Sequence, residues 1–426
     1  MNLEEIPVMS GYSVEAVRGQ FPSLALTDDG KPRIYFDNPA GTQVPQRVID
    51  RATQAMIRQN ANLGGAFITS RLAQELVDQT RIAAAQFYNA PSPSEIMFGA
   101  NMTTMTLAMS RNLQKSLKIS EGDEIVLSRM DHDANVAPWL HVAADTGATV
   151  KWLEFDPDTF EFPDDAFDQV LTDKTKIVAV GHASNCTGTI NDVASICRKA
   201  RAAGVISFVD AVQSAPHLPI DVQAIGCDFL VSSAYKWFGP HQGIMYGRRA
   251  LLERLYSYNV RPALEYGPPG AFESGTAARE TLAATLGAIE YIASHGEDLN
   301  VGIPVSRTRI VSGMTALQDH EMGLTRQLIA GLTSIKGVKV RGITSANALH
   351  RRVPTVSVTV DGKNPADLAE AFAADNIFLW SGHNYALEPI NHMKLMDKGG
   401  VLRIGLAHYN TADEVDTMLN RLEGMV

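Results

Sequence analysis

Lys236 stands where a lysine can act as a nucleophile. It follows a short apolar stretch, predicted as a strand at 227–232, and Gly239 and Pro240 form a turn soon after it. A lysine beside apolar and aromatic groups loses solvation, so its pKa falls toward neutrality and its amine can form a Schiff base. Most lysines after strands are solvated loop residues, so the residues at the neighbouring strand ends must decide between the two interpretations.

Asp210 ends another apolar stretch, predicted as a buried parallel strand at 205–210. Ligands of α/β sheets gather at such carboxyl ends. An aspartate there could simply cap the next helix. Paired with Lys236, however, it predicts pyridoxal phosphate (PLP), because the ring nitrogen of that cofactor needs a carboxylate while a lysine holds its C4′ atom. Gln213, three residues further on, could then reach the ring hydroxyl.

His132 follows a third predicted strand, at 123–128, and its imidazole could stack on the cofactor ring. The alternative is a metal-dependent hydrolase, since Asp131, His132 and Asp210 supply ligands suited to Mn, Zn or Fe. We rank that alternative lower because no histidine pair has the helical spacing of a metal site, and because a metal would leave Lys236 unexplained.

Hydroxyl groups that could bind a phosphate lie between a predicted strand at 95–98 and a helix predicted over 105–117. Thr103 and Thr104 precede this helix, and free amides at a helix N-terminus attract anions. An ordinary threonine N-cap would give the same pattern. Ser233, three residues before Lys236, supplies a further hydroxyl. There is no Walker A motif and no Gly-x-Gly-x-x-Gly opening a βαβ unit, so a nucleotide enzyme has no comparable support.

Alternating strand and helix patterns position these residues. They predict an α/β fold with a mainly parallel, doubly wound, seven-stranded sheet. The strands are expected near 95–98, 123–128, 149–155, 176–181, 205–210, 227–232 and 243–247. The Pro- and Gly-rich stretch 261–270 predicts a loop without regular structure.

A smaller α+β domain is expected at the C-terminus. A long helical pattern from about 280 to 334 leads into strands at 338–343, 353–360, 376–380 and 401–408, with helices at 365–375 and 412–424. We therefore divide the chain into an N-terminal segment packing on the small domain, a large cofactor domain and a small domain. Their limits are 1–30, 31–295 and 296–426.

Composition restricts the partners and the location of the protein. The 426 residues are 45% hydrophobic and 20% charged, which suits a globular protein, and the net charge of −10 argues against nucleic acid or an anionic membrane as partner. No signal sequence or membrane span is evident, and the three widely separated cysteines suggest a reducing compartment. We expect a cytoplasmic protein.

Six segments in order resemble a known family: 35–40, 130–135, 209–213, 233–236, 272–276 and 403–411. From about Tyr35 to Leu422 the chain resembles the class V aminotransferase superfamily of fold-type I PLP enzymes. The resemblance is to the branch that holds cysteine desulfurases, isopenicillin N epimerase and kynureninase.

The resemblance implies a role for each matched residue. Lys236 would form the Schiff base, Asp210 would pair with the pyridinium nitrogen, and Arg403 would clamp an α-carboxylate. The other cofactor contacts would come from Gln213, His132, Thr103, Thr104, Asn185 and Ser233. The substrate would also meet Asn38, Ala40, Trp380, Tyr385 and His383. Thr276 matches a position that reaches the phosphate of a neighbouring subunit, which implies a homodimer with shared active sites.

One departure from this pattern bears on the reaction. A desulfurase needs a mobile cysteine, which the resemblance would place in the loop 380–386, but this chain has Tyr385 there. Cys186 is the cysteine nearest to the expected site. We therefore predict an aminotransferase or a C–S or C–C lyase acting on an amino acid, and no persulfide-forming desulfurase. An epimerase is the alternative, with Tyr385 or His383 as its second base.

Overall fold

Seven strands form the central sheet of the larger domain in the computed structural model, which describes residues 12–296 and 305–426. They are Ile96–Gly99 (β1), Glu124–Ser128 (β2), Thr149–Leu153 (β3), Thr175–Gly181 (β4), Ile206–Asp210 (β5), Phe229–Ser233 (β6) and Gly243–Gly247 (β7). Their order is β1–β7–β6–β5–β4–β2–β3, and only β7 runs antiparallel to its neighbours. The predicted α/β fold with a mainly parallel, seven-stranded sheet is confirmed.

Both faces of this sheet are buried. Val178 and Val180 of β4 belong to a core shared with two long helices, while Ile177 and Ala179 belong to a core on the other face. Side chains alternate across a strand, so a sheet covered on both faces reads as a continuous apolar run. This burial explains why the strand patterns were visible in the sequence.

Helices surround the sheet and form the rest of the framework. Those of eight or more residues are Gln46–Arg58, Ile68–Tyr88, Met102–Leu117, Ala137–Thr146, Val193–Ala202, Arg279–Ser294, Arg307–Ser334, Pro365–Ala373 and Ala412–Glu423. Shorter helices are Val14–Arg18, Ala166–Val170, Val222–Ile225, Arg249–Leu252, Arg261–Leu264 and Leu387–His392. Within residues 12–296 and 305–426, no helix is long and apolar enough to cross a membrane.

The smaller domain is built on a four-stranded antiparallel sheet. Its strands are Val338–Val340 (β8), Thr355–Val360 (β9), Trp380–Gly382 (β10) and Val401–Gly405 (β11), in the order β8–β9–β11–β10. Side chains from three helices complete its core, including Leu328, Phe372 and Leu422. This α+β arrangement agrees with the prediction.

Three local predictions were wrong. The helical pattern over 280–334 forms two helices, the second starting at Arg307, and residues 297–304 lie outside the described ranges. The strand predicted at 376–380 is divided, because Ile377–Phe378 pairs in parallel with Ile34–Tyr35 whereas Trp380 begins β10. The stretch 261–270 contains a helical turn. Pairing between distant segments leaves no local pattern, which explains the divided strand.

The described part of the N-terminal segment contacts both domains. Arg18 donates a 2.7 Å hydrogen bond to the Tyr409 carbonyl and pairs with Glu414 at 2.8 Å, both in the small domain. Val17 and Phe21 lie in the core of the large domain. Residues 1–11 fall outside the described ranges, and the three domain limits stay predictions.

Candidate active site

A cavity of about 500 Å³ opens where the carboxyl ends of the parallel strands face the small domain. Ligand sites of α/β sheets form at this edge. The predicted site residues that line it are Ala40, Thr103, His132, Asn185, Lys236, Trp380, Tyr385 and Arg403. The fold thus gathers side chains from both domains around one space.

Lys236 lies in a short 3₁₀ turn that follows β6 directly. Its Nζ atom donates a hydrogen bond to the carbonyl of Pro39. Burial and the charge of Arg403 lower the pKa of Lys236, while Asp37 and Asp210 oppose the shift, and the resulting pKa is about 7. A substantial fraction of this amine is therefore neutral, and nucleophilic, near neutral pH.

Asp210 ends β5, as predicted, and is buried next to the cavity. One of its carboxylate oxygens accepts a 2.8 Å hydrogen bond from the backbone amide of Val212. Burial raises the pKa of Asp210 to about 6, opposed by this hydrogen bond and by the charge of Lys236. A carboxylate held in this way would gain from a protonated partner such as a pyridinium nitrogen.

The side chain of Asp131 is occupied by structural hydrogen bonds. Its two oxygens accept from the backbone amide of Gly181 at 2.8 Å and from Nδ2 of Asn135 at 2.7 Å. Burial raises the pKa of Asp131 to about 7. Across the described residues, no three or more His, Cys, Asp and Glu side chains are arranged to hold a metal ion. The metal-dependent alternative therefore lacks support.

His132 presents a neutral ring at the cavity. Its Nδ1 atom accepts a 3.0 Å hydrogen bond from the amide of Ala134. Burial lowers the pKa of His132 to about 3, helped by the charges of Lys236 and Arg403. The ring stacks on Tyr385 with a centroid separation of 5.7 Å and an interplanar angle of 17°. A neutral imidazole of this kind suits stacking on an aromatic ligand.

Helix Met102–Leu117 begins three residues earlier than predicted and points its N-terminus at the site. Asn101 caps it: its Oδ1 atom accepts from the amide of Thr104 at 2.9 Å and from its hydroxyl at 3.0 Å. The hydroxyl of Ser233 accepts a 2.8 Å hydrogen bond from the Met102 amide. The predicted hydroxyls of Thr104 and Ser233 therefore lie at one helix end, where the Thr104 and Met102 amides already donate to Asn101 and Ser233. The phosphate contacts assigned to these two hydroxyls stay predictions.

Arg403 lies on β11 and is only 4% exposed. Its guanidinium makes two long contacts, 3.3 Å to the carbonyl of Asn185 and 3.5 Å to Asp37. Its Nε atom is buried and has no hydrogen-bond partner among the described residues. Since an unpaired buried donor is costly, this guanidinium is suited to a carboxylate ligand.

Other predicted residues do not line the cavity. The amide of Asn38 donates to the Gly405 carbonyl at 2.8 Å, and the amide of Gln213 donates to the Thr355 hydroxyl at 2.7 Å. His383 is exposed and its Nδ1 atom accepts a 3.0 Å hydrogen bond from the amide of Tyr385. Thr276 is exposed on the surface. The ligand contacts assigned to these side chains stay predictions.

Sequence reasoning missed several residues of the site. Asp37 contacts Arg403, and burial raises the pKa of its carboxyl against the attraction of Arg403 and Lys236. Leu107 and His141 line the cavity, as does Asn384, whose carbonyl accepts from the side chain of Asn185 at 2.9 Å. Two of these residues carried a signal: Asp37 lies in the segment 35–40 that resembles the family, and Asn384 lies in the loop 380–386.

A family model described as "Aminotransferase class-V" matches residues 34–301 and 308–418. The chain belongs to this family. An "Aminotransferase-like protein FGM3" of Gibberella zeae is 33% identical over 97% of this chain and 98% of its own length. A "Probable cysteine desulfurase" of Synechocystis sp. is also 33% identical, over 96% of this chain and 95% of the relative.

Solved structures agree with the class-V assignment. The apo structure of a cysteine desulfurase from Thermococcus onnurineus superposes with a TM-score of 0.85 at 26% identity, covering 98% of this chain and 99% of that one. The cysteine desulfurase CsdA from Escherichia coli gives 0.81 at 25% identity, covering 97% and 98%. None of these four proteins is named as an epimerase or a metal-dependent hydrolase, so these two alternative functions remain unsupported.

The class-V family establishes PLP as the cofactor and an amino acid as the kind of substrate. The site fits this cofactor: Lys236 has a lowered pKa, Asp210 is buried next to it, and a capped helix N-terminus offers hydroxyls. The predicted cofactor and the predicted PLP-dependent enzyme are confirmed.

All three cysteines of this class-V chain are inaccessible. Cys186 and Cys197 are 0% exposed and Cys227 is 1% exposed. Burial raises the pKa of the Cys186 thiol to about 11 and that of Cys197 to about 12, and raises that of Cys227 well above its usual range. Thiolates at these positions would be scarce at neutral pH.

Proposed function

We propose that this class-V enzyme is an aminotransferase or a C–S or C–C lyase, and that it does not form a persulfide. The observation that carries the proposal is the cavity mouth, where Tyr385 stands in the loop 380–386 and no cysteine is present. A desulfurase needs a reactive thiolate at its site, and the three thiols of this chain are buried.

The roles of the residues follow from their surroundings. Bound PLP supplies an electron sink for negative charge at the substrate Cα atom. Lys236 would hold the cofactor until the substrate amine takes its place, and the freed Lys236 amine, with its pKa near 7, can then take the proton from Cα as a general base. Asp210 keeps a proton on the ring nitrogen. Arg403 orients the substrate through its α-carboxylate.

The test is to incubate the purified holoenzyme with a panel of amino acids, with and without a 2-keto acid as the amino-group acceptor, and to identify the products. We expect a keto acid, with or without a released side-chain fragment. Cysteine-dependent sulfide release that disappears in Cys186→Ser but not in Cys197→Ser would overturn the proposal. Both thiols are fully buried, so the second variant is a matched control.

We also infer that the active protein is a homodimer. The helices Gln46–Arg58 and Ile68–Tyr88, with the residue before the second, carry exposed apolar side chains: Met56, Ile57, Phe67, Ile68 and Ile82. Such a surface is typical of protein interfaces. Thr276 is exposed in one chain, as expected for a residue that reaches the phosphate in a second copy.

For the location of the enzyme we propose the cytoplasm. The support is that all three cysteines are free, which suits a reducing compartment. Fractionation of cells that express a tagged chain would test this inference.

A further inference from the structure

Trp380 and Arg403 stand directly opposite each other on the antiparallel strands β10 and β11. Residues opposed in this way extend to the same face of the sheet, with Cβ atoms about 4.5–5.5 Å apart. Both side chains line the cavity, and the indole is 56% exposed. A substrate held by its carboxylate at Arg403 therefore has its own side chain within reach of the indole.

Tyr385 provides a second aromatic surface at the same mouth. Its ring is 67% exposed and stacks on His132, while its carbonyl accepts a 2.8 Å hydrogen bond from the Asp133 amide. Asn384 and Tyr385 have φ angles of 52° and 55°, in the left-handed region that tyrosine seldom adopts. The fold thus holds this phenol at the cavity in spite of a local backbone cost.

The charges on the wall disfavour an acidic side chain. The lysine and the arginine that line the cavity are Lys236 and Arg403. The proposed reaction uses both of these cationic side chains, so neither is left to pair with an acidic side chain of the substrate. His132 is neutral, and Asp133 adds a carboxylate without a side-chain hydrogen bond among the described residues. His141 is a further polar group of the wall. The rest of the inner lining is mostly apolar: Leu107, Ala134, Ala137 and Pro138.

We propose that the substrate is an α-amino acid with a neutral aromatic side chain that packs against Trp380 and Tyr385. Asp133 excludes acidic side chains by like-charge repulsion. This inference rests on the proposed function, which places the α-carboxylate at Arg403.

The test is an equilibrium titration of the visible absorption of the holoenzyme with L-phenylalanine, L-alanine and L-glutamate at pH 8. L-Phenylalanine should bind at least about tenfold more tightly than L-alanine, since burial of an aromatic side chain adds affinity. Trp380→Ala should reduce this ratio by about fivefold, and Trp380→Phe, which keeps a ring, should reduce it less. Asp133→Asn should strengthen L-glutamate binding relative to L-alanine by about fivefold, unlike Asp133→Glu.

Two results would overturn the proposal: L-glutamate binding as tightly as L-phenylalanine, or an unchanged ratio in Trp380→Ala. A failure of the proposed reaction class would be visible in the products and not in these binding ratios. Sulfide release from L-cysteine that disappears in Cys186→Ser but not in Cys197→Ser, with L-phenylalanine still bound more tightly than L-alanine, would contradict the reaction class alone. Keto acid from small or acidic amino acids, with no preference for L-phenylalanine, would contradict the substrate class alone.

Discussion

Lys236 has its protonation set by burial and by a small group of charges. Burial and Arg403 favour the neutral amine, whereas Asp37 and Asp210 favour the ammonium. The result is a pKa of about 7, close to the pH at which a general base is most effective.

The first prediction concerns cofactor loading as a function of pH. A protonated amine does not attack an aldehyde, so the rate of covalent PLP incorporation into the cofactor-free protein should rise as the pH increases through about 7. The growth of visible absorption after PLP addition measures this rate. Lys236→Ala should show no such band, and a midpoint near about 10, the value of a solvated lysine, would contradict the lowered pKa.

A second prediction concerns Arg403. Replacing it with alanine should raise the KM for an α-carboxylate substrate about tenfold or more, since a hydrogen bond to a charged group contributes about 1.5–3 kcal/mol. Arg403→Lys keeps the charge but loses the planar guanidinium, so its KM should lie between those of the wild type and Arg403→Ala.

Loss of the Arg403 charge should also raise the pKa of Lys236 and shift the loading midpoint upward. Steady-state kinetics and the loading assay check these two effects separately. An unchanged KM would remove Arg403 from substrate binding.

At the scale of elements, a buried arginine ties the turn after β4 to the small domain. Arg352 is 1% exposed and donates hydrogen bonds to the carbonyls of Ile343, Thr355 at 2.5 Å and Thr187 at 3.3 Å. Gly188 lies against its guanidinium, and a Cβ atom there would come within 3.0 Å of Nη2. The same turn carries Asn185, whose carbonyl contacts the catalytic-site arginine.

We therefore predict that Arg352→Ala lowers the free energy of unfolding by about 3 kcal/mol, because several buried carbonyls lose their donor. Urea denaturation followed by circular dichroism measures the change. Arg326→Ala is the matched control, since Arg326 is exposed on a helix and its loss should change stability by less than about 0.5 kcal/mol. Equal effects of the two variants would show that the buried hydrogen bonds of Arg352 add no stability.

The elements that were predictable from the sequence are those with local patterns. Asp210 ends one buried strand and Lys236 follows another, and both strands are continuous apolar runs, so the positions of both residues could be predicted. The start of helix Met102–Leu117 was missed although Asn101, a favoured N-cap residue, is a local signal for it. The Ser233 hydroxyl, which accepts from the Met102 amide, reaches the same helix end only in the fold. The alignment of Trp380 with Arg403 depends on strand register between distant segments, which no local pattern contains.

At the scale of the whole molecule, the exposed apolar side chains on the helices Gln46–Arg58 and Ile68–Tyr88 predict that two copies of the chain associate. The protein should sediment with twice the 46.2 kDa mass of one chain. Ile57→Asp places a charge at a side chain that is 68% exposed and should weaken this association. It should also lower PLP affinity, because the proposed phosphate contact from Thr276 of the second copy would be lost. Val426→Asp, at a 46% exposed position at the chain end, is the control. A monomeric wild-type protein with full activity would contradict the dimer.

Among the described strands, β10 is at the edge of the small sheet and pairs on one side with β11. The aromatic side chains at the cavity mouth therefore lie on the outermost strand and the loop after it, whereas Asp210 ends one central strand of the other domain and Lys236 follows another. Among the described strands, substitutions in 380–386 affect only the pairing of β10 with β11, and they leave the amine of Lys236 in place. This segment could therefore be exchanged as a short cassette in enzyme engineering, to give the same cofactor chemistry a new range of amino acids.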